Sequence, residues 1–377
     1  MDPPRTLLVT NDYPPRVGGI QRTLESLVRQ FPADRVAVLT CGFDGAAEFD
    51  RAAAYRIFRQ PEPFLWPTPD VGGRVERAVT DFGAEVVLFG ATYPLELLGP
   101  RIARSGTPYL TAAHGFEYWL SIAPVTHGLM RLATSRASRV PVLCSEFVAR
   151  RVRTAVSRTV PVSVLYPGAD LDVFRPDVPA AEIRTRHGLA DRPLILCVSR
   201  LVARKGQDVL VRALPMIRER VADASLLIVG AGPYESALRS LASSAPAGSV
   251  VFAGEVDERE LPHHYAAADV FAMPCRDRLG GLEVEGWGNV FIEAAACGRP
   301  VVAGRSGGAP EAVLDGETGI VVDGRDVSDV AEAVVSLLAE PERARSMGVA
   351  GRARVERRHA WPKIALKLAG WLRQAVG

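Results

Sequence analysis

The sequence predicts an α/β fold of two domains, each a doubly wound parallel sheet, facing one another across a cleft, with a C-terminal helix returning to the N-terminal domain. Three observations predict it. At 377 residues the chain exceeds what a single hydrophobic core ordinarily supports. Short apolar runs alternate with longer amphipathic ones, the rhythm of buried strand and crossover helix. That rhythm stops at a stretch punctuated by Pro and Gly and then begins again.

In the first half the strand-like runs lie at 6–10, 36–40, 86–89 and 109–112, and the helical patterns at 20–31, 74–82 and 95–101. The break is Tyr166-Pro167-Gly168-Ala169-Asp170-Leu171-Asp172-Val173-Phe174-Arg175-Pro176, where neither period is sustained. The second set has strands at 194–198, 226–229, 250–252, 270–273 and 301–303, with helices at 208–220, 234–244, 261–267 and 290–297. The helical pattern at 361–376 carries Ile364, Leu366, Leu368, Trp371 and Leu372, an apolar face that needs a partner. The expected domains are therefore 1–168 completed by 361–377, and 169–360.

Composition excludes several classes. With 48% hydrophobic and 23% charged residues the chain is a folding one, and a formal net charge of +2 provides no concentrated basic footprint for nucleic acid. The five cysteines (Cys41, Cys144, Cys197, Cys275, Cys297) are dispersed and form no C-x-x-C pair, which argues against a disulfide framework or zinc site and for a reducing cytoplasm. The first residues run directly into an apolar strand, so no secretory leader is read, and no segment reaches membrane-spanning length. Any membrane contact is expected to be peripheral.

The motifs lie just after strands. Gly18 and Gly19 precede the first helix, where backbone amides and the helix dipole suit an anion; taken alone, a plain tight turn between strand and helix is the more ordinary explanation. Ser199-Arg200-Leu201-Val202-Ala203-Arg204-Lys205-Gly206 follows a strand, and its cations, Arg200 and Lys205 above all, could neutralise a diphosphate leaving group or form a solvated basic loop. Gly230-Ala231-Gly232-Pro233 begins like a dinucleotide fingerprint but has Glu235 at the third glycine position, which weakens a hydride-transfer reading. Farther on, Glu285 and Glu293 flank a glycine-containing loop and a helix start. Carboxylates accept hydrogen bonds from sugar hydroxyls, and the free N–H groups of Asn289, Val290 and Phe291 could face a phosphate. His114 ends a strand beside Gly115, placed for either a ligand or a structural role.

Two further patterns compete for attention. Asp170-Leu171-Asp172 has a metal-binding D-x-D spacing, but its position in the linker points to turn and cap chemistry. A basic run between residues 129 and 158 (Arg131, Arg136, Arg139, Arg150, Arg151, Arg153, Arg158) is a solvated helix face or, beside Phe64, Leu65 and Trp66, a contact with an anionic bilayer.

Taken together, residues 11–19, His114-Gly115, Arg200 with Lys205, Gly230-Ala231-Gly232-Pro233 and the Glu285/Glu293 pair closely resemble the retaining glycosyltransferases of family 4, built from two Rossmann-like domains of the GT-B type. The resemblance spans nearly the whole chain. Asn11-Asp12-Tyr13-Pro14-Pro15-Arg16-Val17-Gly18-Gly19-Ile20-Gln21 and Gly280-Gly281-Leu282-Glu283-Val284-Glu285-Gly286 are most similar to actinobacterial phosphatidylinositol mannoside mannosyltransferases. It implies a hexosyltransferase that retains anomeric configuration without metal or cofactor, moving mannose from GDP-mannose to a glycolipid at the inner membrane face. It implies that Arg200 and Lys205 hold the diphosphate with the Gly18 and Gly19 amides, and that Glu293 binds the ribose. Glu285 would lie near the sugar, the backbone of Gly254, Glu255 and Val256 would meet the base, and His114 would contact the donor sugar or reacting centre. Phe116 stands where those enzymes more often carry a polar residue. A small-metabolite acceptor with a UDP-sugar or other nucleotide-sugar donor, a sugar-nucleotide epimerase or hydrolase, and a non-catalytic sensor remain open alternatives.

Overall fold

A computed structural model describes residues 3–377; the expected N-terminal domain begins two residues earlier, outside that range. The chain divides into two compact units, Met1–Pro167 with Trp361–Gly377, and Gly168–Ala360.

The first unit is a parallel sheet of β1 (Thr6–Thr10), β2 (Val36–Thr40), β3 (Arg56–Arg59), β4 (Val86–Phe89) and β5 (Tyr109–Thr111), in the order β3-β2-β1-β4-β5. β1, β2 and β4 are buried along their whole length, as strands covered by helices on both faces must be. β3 was not among the expected strands because it is an edge strand with an Arg at each end and only partial burial, so it has no continuous apolar run. β6 (Val140–Val142) and β7 (Val162–Val164) pair with each other, and isolated bridges Leu110–Arg139 and Ala113–Val142 join β6 to β5. The helix expected at 74–82 begins earlier, at Pro69, because Thr68 Oγ1 accepts the Val71 N–H at 3.2 Å and Pro69 occupies the first turn; Gly83, with φ +68°, ends it.

The helix Trp361–Val376 closes this unit. Ile364, Leu368 and Leu372, spaced four residues apart, join Leu8, Leu24, Val38, Leu88 and Leu110 in one core. Leu366 is the exception to the expected apolar face: its angular position on the helix leaves it 60% exposed.

The second unit is a six-stranded parallel sheet of β8 (Leu194–Val198), β9 (Ser225–Val229), β10 (Val250–Gly254), β11 (Val270–Met273), β12 (Val301–Gly304) and β13 (Gly319–Val322), in the order β10-β9-β8-β11-β12-β13. This is the Rossmann order, and it reverses between β8 and β11, where open α/β sheets hold ligands beyond the strands' C-terminal ends. β13 and the helices Val327–Leu338 and Pro341–Arg358 extend the sequence reading; Asp326 caps the first of these helices by accepting the Ser328 and Asp329 N–H groups.

The basic run does not form one helix face. Arg131 lies on the helix Pro124–Ala133, and Arg150, Arg151 and Arg153 on Glu146–Ala155, with β6 between them. Leu65 is buried, which removes it from any exposed patch. Asp170 Oδ1 accepts the amides of Asp172 and Val173, a local Asx turn.

Candidate active site

In the second unit the loop after β8 and the loop after β11 converge at the point where the strand order reverses. The Arg276 N–H donates to Arg204 O at 2.8 Å, and the Arg276 guanidinium bonds both oxygens of Asp208 at 2.9 and 3.0 Å. Gln207 donates to Ser199 Oγ and to Arg200 O, fixing the other side of the loop. Three glycines permit this convergence. A Cβ on Gly206, at φ +79°, would stand 2.0 Å from Pro274 O, and Cβ atoms on Gly230 and Gly232 would stand 2.1 and 2.4 Å from Ser199 O and Leu201 O. The G-x-G pair therefore seats the Arg200 loop; its role here is close packing of backbone on backbone.

The convergence brings Lys205 and Glu285 together. Lys205 Nζ lies 2.6 Å from Glu285 Oε2, and Arg204 Nη1 bonds the same oxygen. Glu285 is buried, and burial pushes its carboxyl upward, but Lys205 and Arg204 together outweigh that and hold it below the usual carboxylate range. Its backbone is pinned as well: the Glu285 N–H donates to Ser306 Oγ, Ser306 donates to Asp277 Oδ1, and the Gly308 N–H donates to Glu285 O. Arg200 is exposed and carries no ion pair among the described residues. Two cations thus meet on one carboxylate oxygen, leaving one positive charge in excess, and Arg200 adds a further cation on the same loop.

The helix Asn289–Ala296 starts beside this group with no side-chain cap. Phe291 was expected to offer its N–H to a phosphate, but that group is spent on Gly288 O at 3.1 Å; Asn289 and Val290 have the amides left over at this end. Glu293 is buried in the same helix, and Tyr265 Oη donates to its Oε2 at 2.7 Å. At the end of β10, Gly254 has φ +72° with open space where a side chain would be, and its carbonyl accepts the Gly230 N–H; Val256 follows it, partly exposed.

In the first unit, a cavity of about 410 Å³ opens at the C-terminal ends of β1 and β4. Its walls are Ile20, Phe64, Trp66, Tyr93, Leu95 and Phe116, and its polar groups include Asp12 and Glu117. Asn11 builds one wall: its side chain bonds both the N–H and the carbonyl of Leu65 at 2.7 and 3.0 Å, so the Phe64 and Trp66 rings, in contact at a tilt of 57°, are held in place. Asp12 accepts from Gln21 at 2.7 Å; burial raises its carboxyl against the opposing pull of His114 and Arg16. His114 is buried, with Nε2 2.8 Å from Gly90 O. A carbonyl can only accept, so Nε2 carries a proton, and in the neutral ring Nδ1 is the acceptor. Glu117 accepts the N–H groups of His114 and Thr92, tying together the loops that follow β5 and β4. Gly18 is extended (φ 166°), with Gln21 Oε1 2.2 Å from where a Cβ would stand; Gly19 opens the helix Gly19–Val28 with nothing near its Cβ position, and this helix start has no side-chain cap.

Comparison with known proteins places this geometry. The profile described as Glycosyltransferase Family 4 matches residues 17–173, and the one described as Glycosyl transferases group 1 matches residues 192–340. A GDP-mannose-dependent alpha-(1-6)-phosphatidylinositol monomannoside mannosyltransferase of Mycolicibacterium smegmatis is 49% identical over 92% of each chain. The chain belongs to glycosyltransferase family 4. The same description applies to a Mycobacterium tuberculosis protein 47% identical over 98% of both chains, and a Corynebacterium glutamicum enzyme acting on a monoacylated form is 38% identical over 98% of this chain and 97% of its own. Among solved structures, Anabaena HepE in complex with UDP superposes with a TM-score of 0.82 at 19% identity, covering 98% of this chain and all of the other, a likeness of GT-B fold.

Within this glycosyltransferase, Lys205 and Glu285 lie in direct contact, Arg200 and Glu293 lie on a loop and a helix of the same unit, and His114 belongs to the other unit. Sequence reasoning singled out Arg200 and Lys205 and passed over Arg204, which differs from them only in where its side chain ends. Glu117 stands three residues after His114, a spacing the sequence shows, but its double amide bond is a feature of the folded loops. Among the described residues no cluster of three or more His, Cys, Asp or Glu side chains could hold a metal, and no helix is long and apolar enough to cross a membrane.

Proposed function

We propose that this family 4 enzyme is a retaining, GDP-mannose-dependent mannosyltransferase that extends a phosphatidylinositol mannoside without a metal ion. The observation that carries the reading is 47–49% identity, over 92–98% of the chain, to enzymes described by that donor and acceptor. The geometry supplies a physical route. A departing nucleoside diphosphate needs its charge neutralised as the glycosyl bond breaks, and Lys205, Arg204 and Arg200 offer the surplus positive charge at the mouth of the second sheet. Glu285 holds Lys205 and Arg204 in place before the donor arrives, so little reorganisation is needed when the diphosphate forms. The Asn289 and Val290 amides add a helix N-terminus, and those of Gly18 and Gly19 a second one. Glu293, oriented by Tyr265, binds the ribose, and the backbone of Gly254 and Val256 meets the base. The departing phosphate serves as base for same-face attack.

The aromatic-walled cavity of the first unit receives the acceptor. Sugar and inositol rings present apolar C–H faces to aromatic side chains and hydroxyls to carboxylates such as Asp12. His114, with Nδ1 as acceptor, contacts the donor sugar or the attacking hydroxyl. A phosphatidylinositol-based acceptor resides in a bilayer, so the enzyme works peripherally at the inner membrane face, its exposed Trp66, Phe116 and Trp119 and its arginines suiting an anionic surface.

The test is incubation with GDP-mannose, UDP-glucose and ADP-glucose, each with and without lipid extract containing phosphatidylinositol monomannoside, measuring nucleoside diphosphate release and product mass. GDP release that requires the lipid and yields a mass one hexose larger supports the proposal. Release from a UDP-sugar alone would overturn the donor, and acceptor-independent release would point to hydrolysis.

A further inference from the structure

The second unit has another charged cavity at the opposite ends of the same strands. It holds about 480 Å³ and lies against the residues that precede β8, β11 and β12: Arg192 and Pro193, Asp269, and Arg299 and Pro300. The Lys205–Glu285 group stands beyond the C-terminal ends of β8 and β11, a strand length or about 17 Å away.

Four arginines line this cavity, and their hydrogen bonds separate them into two kinds. Arg184 is consumed by the fold: it bonds the carbonyls of Ala267, Ala190 and Arg192 and pairs with Asp269 at 3.0 Å. Arg345, on the exposed rim, pairs with Glu342. Arg299 and Arg192 differ. A guanidinium has five N–H donors. Arg299 uses two, on Cys297 O and Ala268 O, and Arg192 uses one, on Gly248 O. Neither has a carboxylate partner among the described residues. Arg299 is largely enclosed, and burial pulls its guanidinium below the ordinary range. A cation withdrawn from water without an acid beside it is costly unless an anion completes it. The other charged groups around the cavity are Asp269, already held by Arg184 and by the Leu194 N–H, and Asp191, which is exposed.

We infer that this cavity is a binding site for a small phosphate-bearing ligand, whose phosphoryl group is held by the unspent N–H donors of Arg299 and Arg192. Planar guanidinium forks match phosphate oxygens in pairs, and the chamber has room for a phosphorylated sugar or polyol beside its apolar wall at Leu337. The inference is independent of the donor and acceptor assignments, since it rests on the other end of the sheet.

The experiment is calorimetric titration of the full chain, first saturated with GDP to occupy the donor site, with inorganic phosphate and, separately, with glucose 6-phosphate. The expected result is one further binding event, weakened roughly tenfold by Arg192→Ala and by Arg299→Met, with GDP affinity unchanged in both. Tighter binding of glucose 6-phosphate identifies a phosphorylated metabolite as occupant; equal binding identifies free phosphate. Because Arg299 also caps two carbonyls, Arg192→Ala, which among the described residues removes only a side-chain bond to a loop carbonyl, keeps the test valid if Arg299→Met fails to fold. Absence of binding to the GDP-saturated protein, or binding untouched by Arg192→Ala, would overturn the site.

Discussion

Replacing Lys205 with Ala removes one of two cations that share Glu285 Oε2, and its consequences can be worked through separately for chemistry and for stability. If Lys205 stabilises the departing diphosphate, turnover at saturating donor should fall by about 10²–10³, the usual effect of deleting one preorganised charge-stabilising group. Stripping a buried carboxylate of every partner costs about 3–5 kcal/mol, but Arg204 remains on the same oxygen, so a loss of about 1–3 kcal/mol is expected here. A unit of this size should then melt lower by roughly 2–4 °C per kcal/mol. The pH dependence has a definite sign. Glu285 is held below the ordinary glutamate value of 4.5, so its ionised form adds stability that is complete above that value and is lost as pH falls through the lowered folded pKa. Without Lys205 the burial penalty persists with half its compensation, so acid unfolding should begin at higher pH than in the parent enzyme. The assay pairs nucleoside diphosphate release with thermal melting across pH 3–7, an interval spanning roughly the carboxylate range. Parental turnover together with an unshifted acid limb would refute both the leaving-group role and the ion pair.

Four other outcomes follow from the geometry. Arg200 is exposed and has no ion pair among the described residues, so Arg200→Ala should cut turnover by about two to three orders of magnitude with no change in melting temperature; a stability loss without a rate loss would make it structural. Tyr265→Phe removes the bond to Glu293 Oε2 and should raise the donor KM roughly tenfold while leaving kcat near parental, as measured by initial rates. Glu96 is fully buried and neither carboxyl oxygen has a hydrogen-bond partner among the described residues; burial, then the nearby Glu117 charge, raises its pKa well above 4.5. A raised folded pKa adds stability at low pH that is lost as pH rises, so Glu96→Gln should gain melting temperature over the parent progressively from acid to neutral pH and match it in acid. Excess chelator should leave turnover intact, because Asp170 spends its Oδ1 on two backbone amides; activity restored only by a divalent ion would contradict this.

Much of the fold was legible because burial writes itself into local pattern. β8, β11 and the helix Leu261–Ala267 stand where their apolar runs lie, and the C-terminal helix keeps its expected bounds. The elements that escaped were those whose stability is tertiary. β3 is an edge strand begun and ended by Arg, β6 contains Pro141, and β7 is three partly buried residues that pair only with β6. The start of the helix Pro69–Phe82 shifted because capping by Thr68 decided the boundary.

The sequence by itself determined the restarted strand–helix rhythm, the placement of Arg200, Lys205 and His114 just beyond strand ends, and the resemblance to family 4, because each is written within a few consecutive residues. Only the tertiary structure decided that Lys205 and Arg204 meet on one oxygen of Glu285, some eighty positions later in the chain. It also decided that Glu117 holds two loops through their amides, and that Phe291 has no N–H to offer. The reason is that strand order, rather than sequence separation, sets which loops are neighbours: β8 and β11 are adjacent in the sheet though two strand–helix units lie between them, and a charge has meaning only beside the group that answers it.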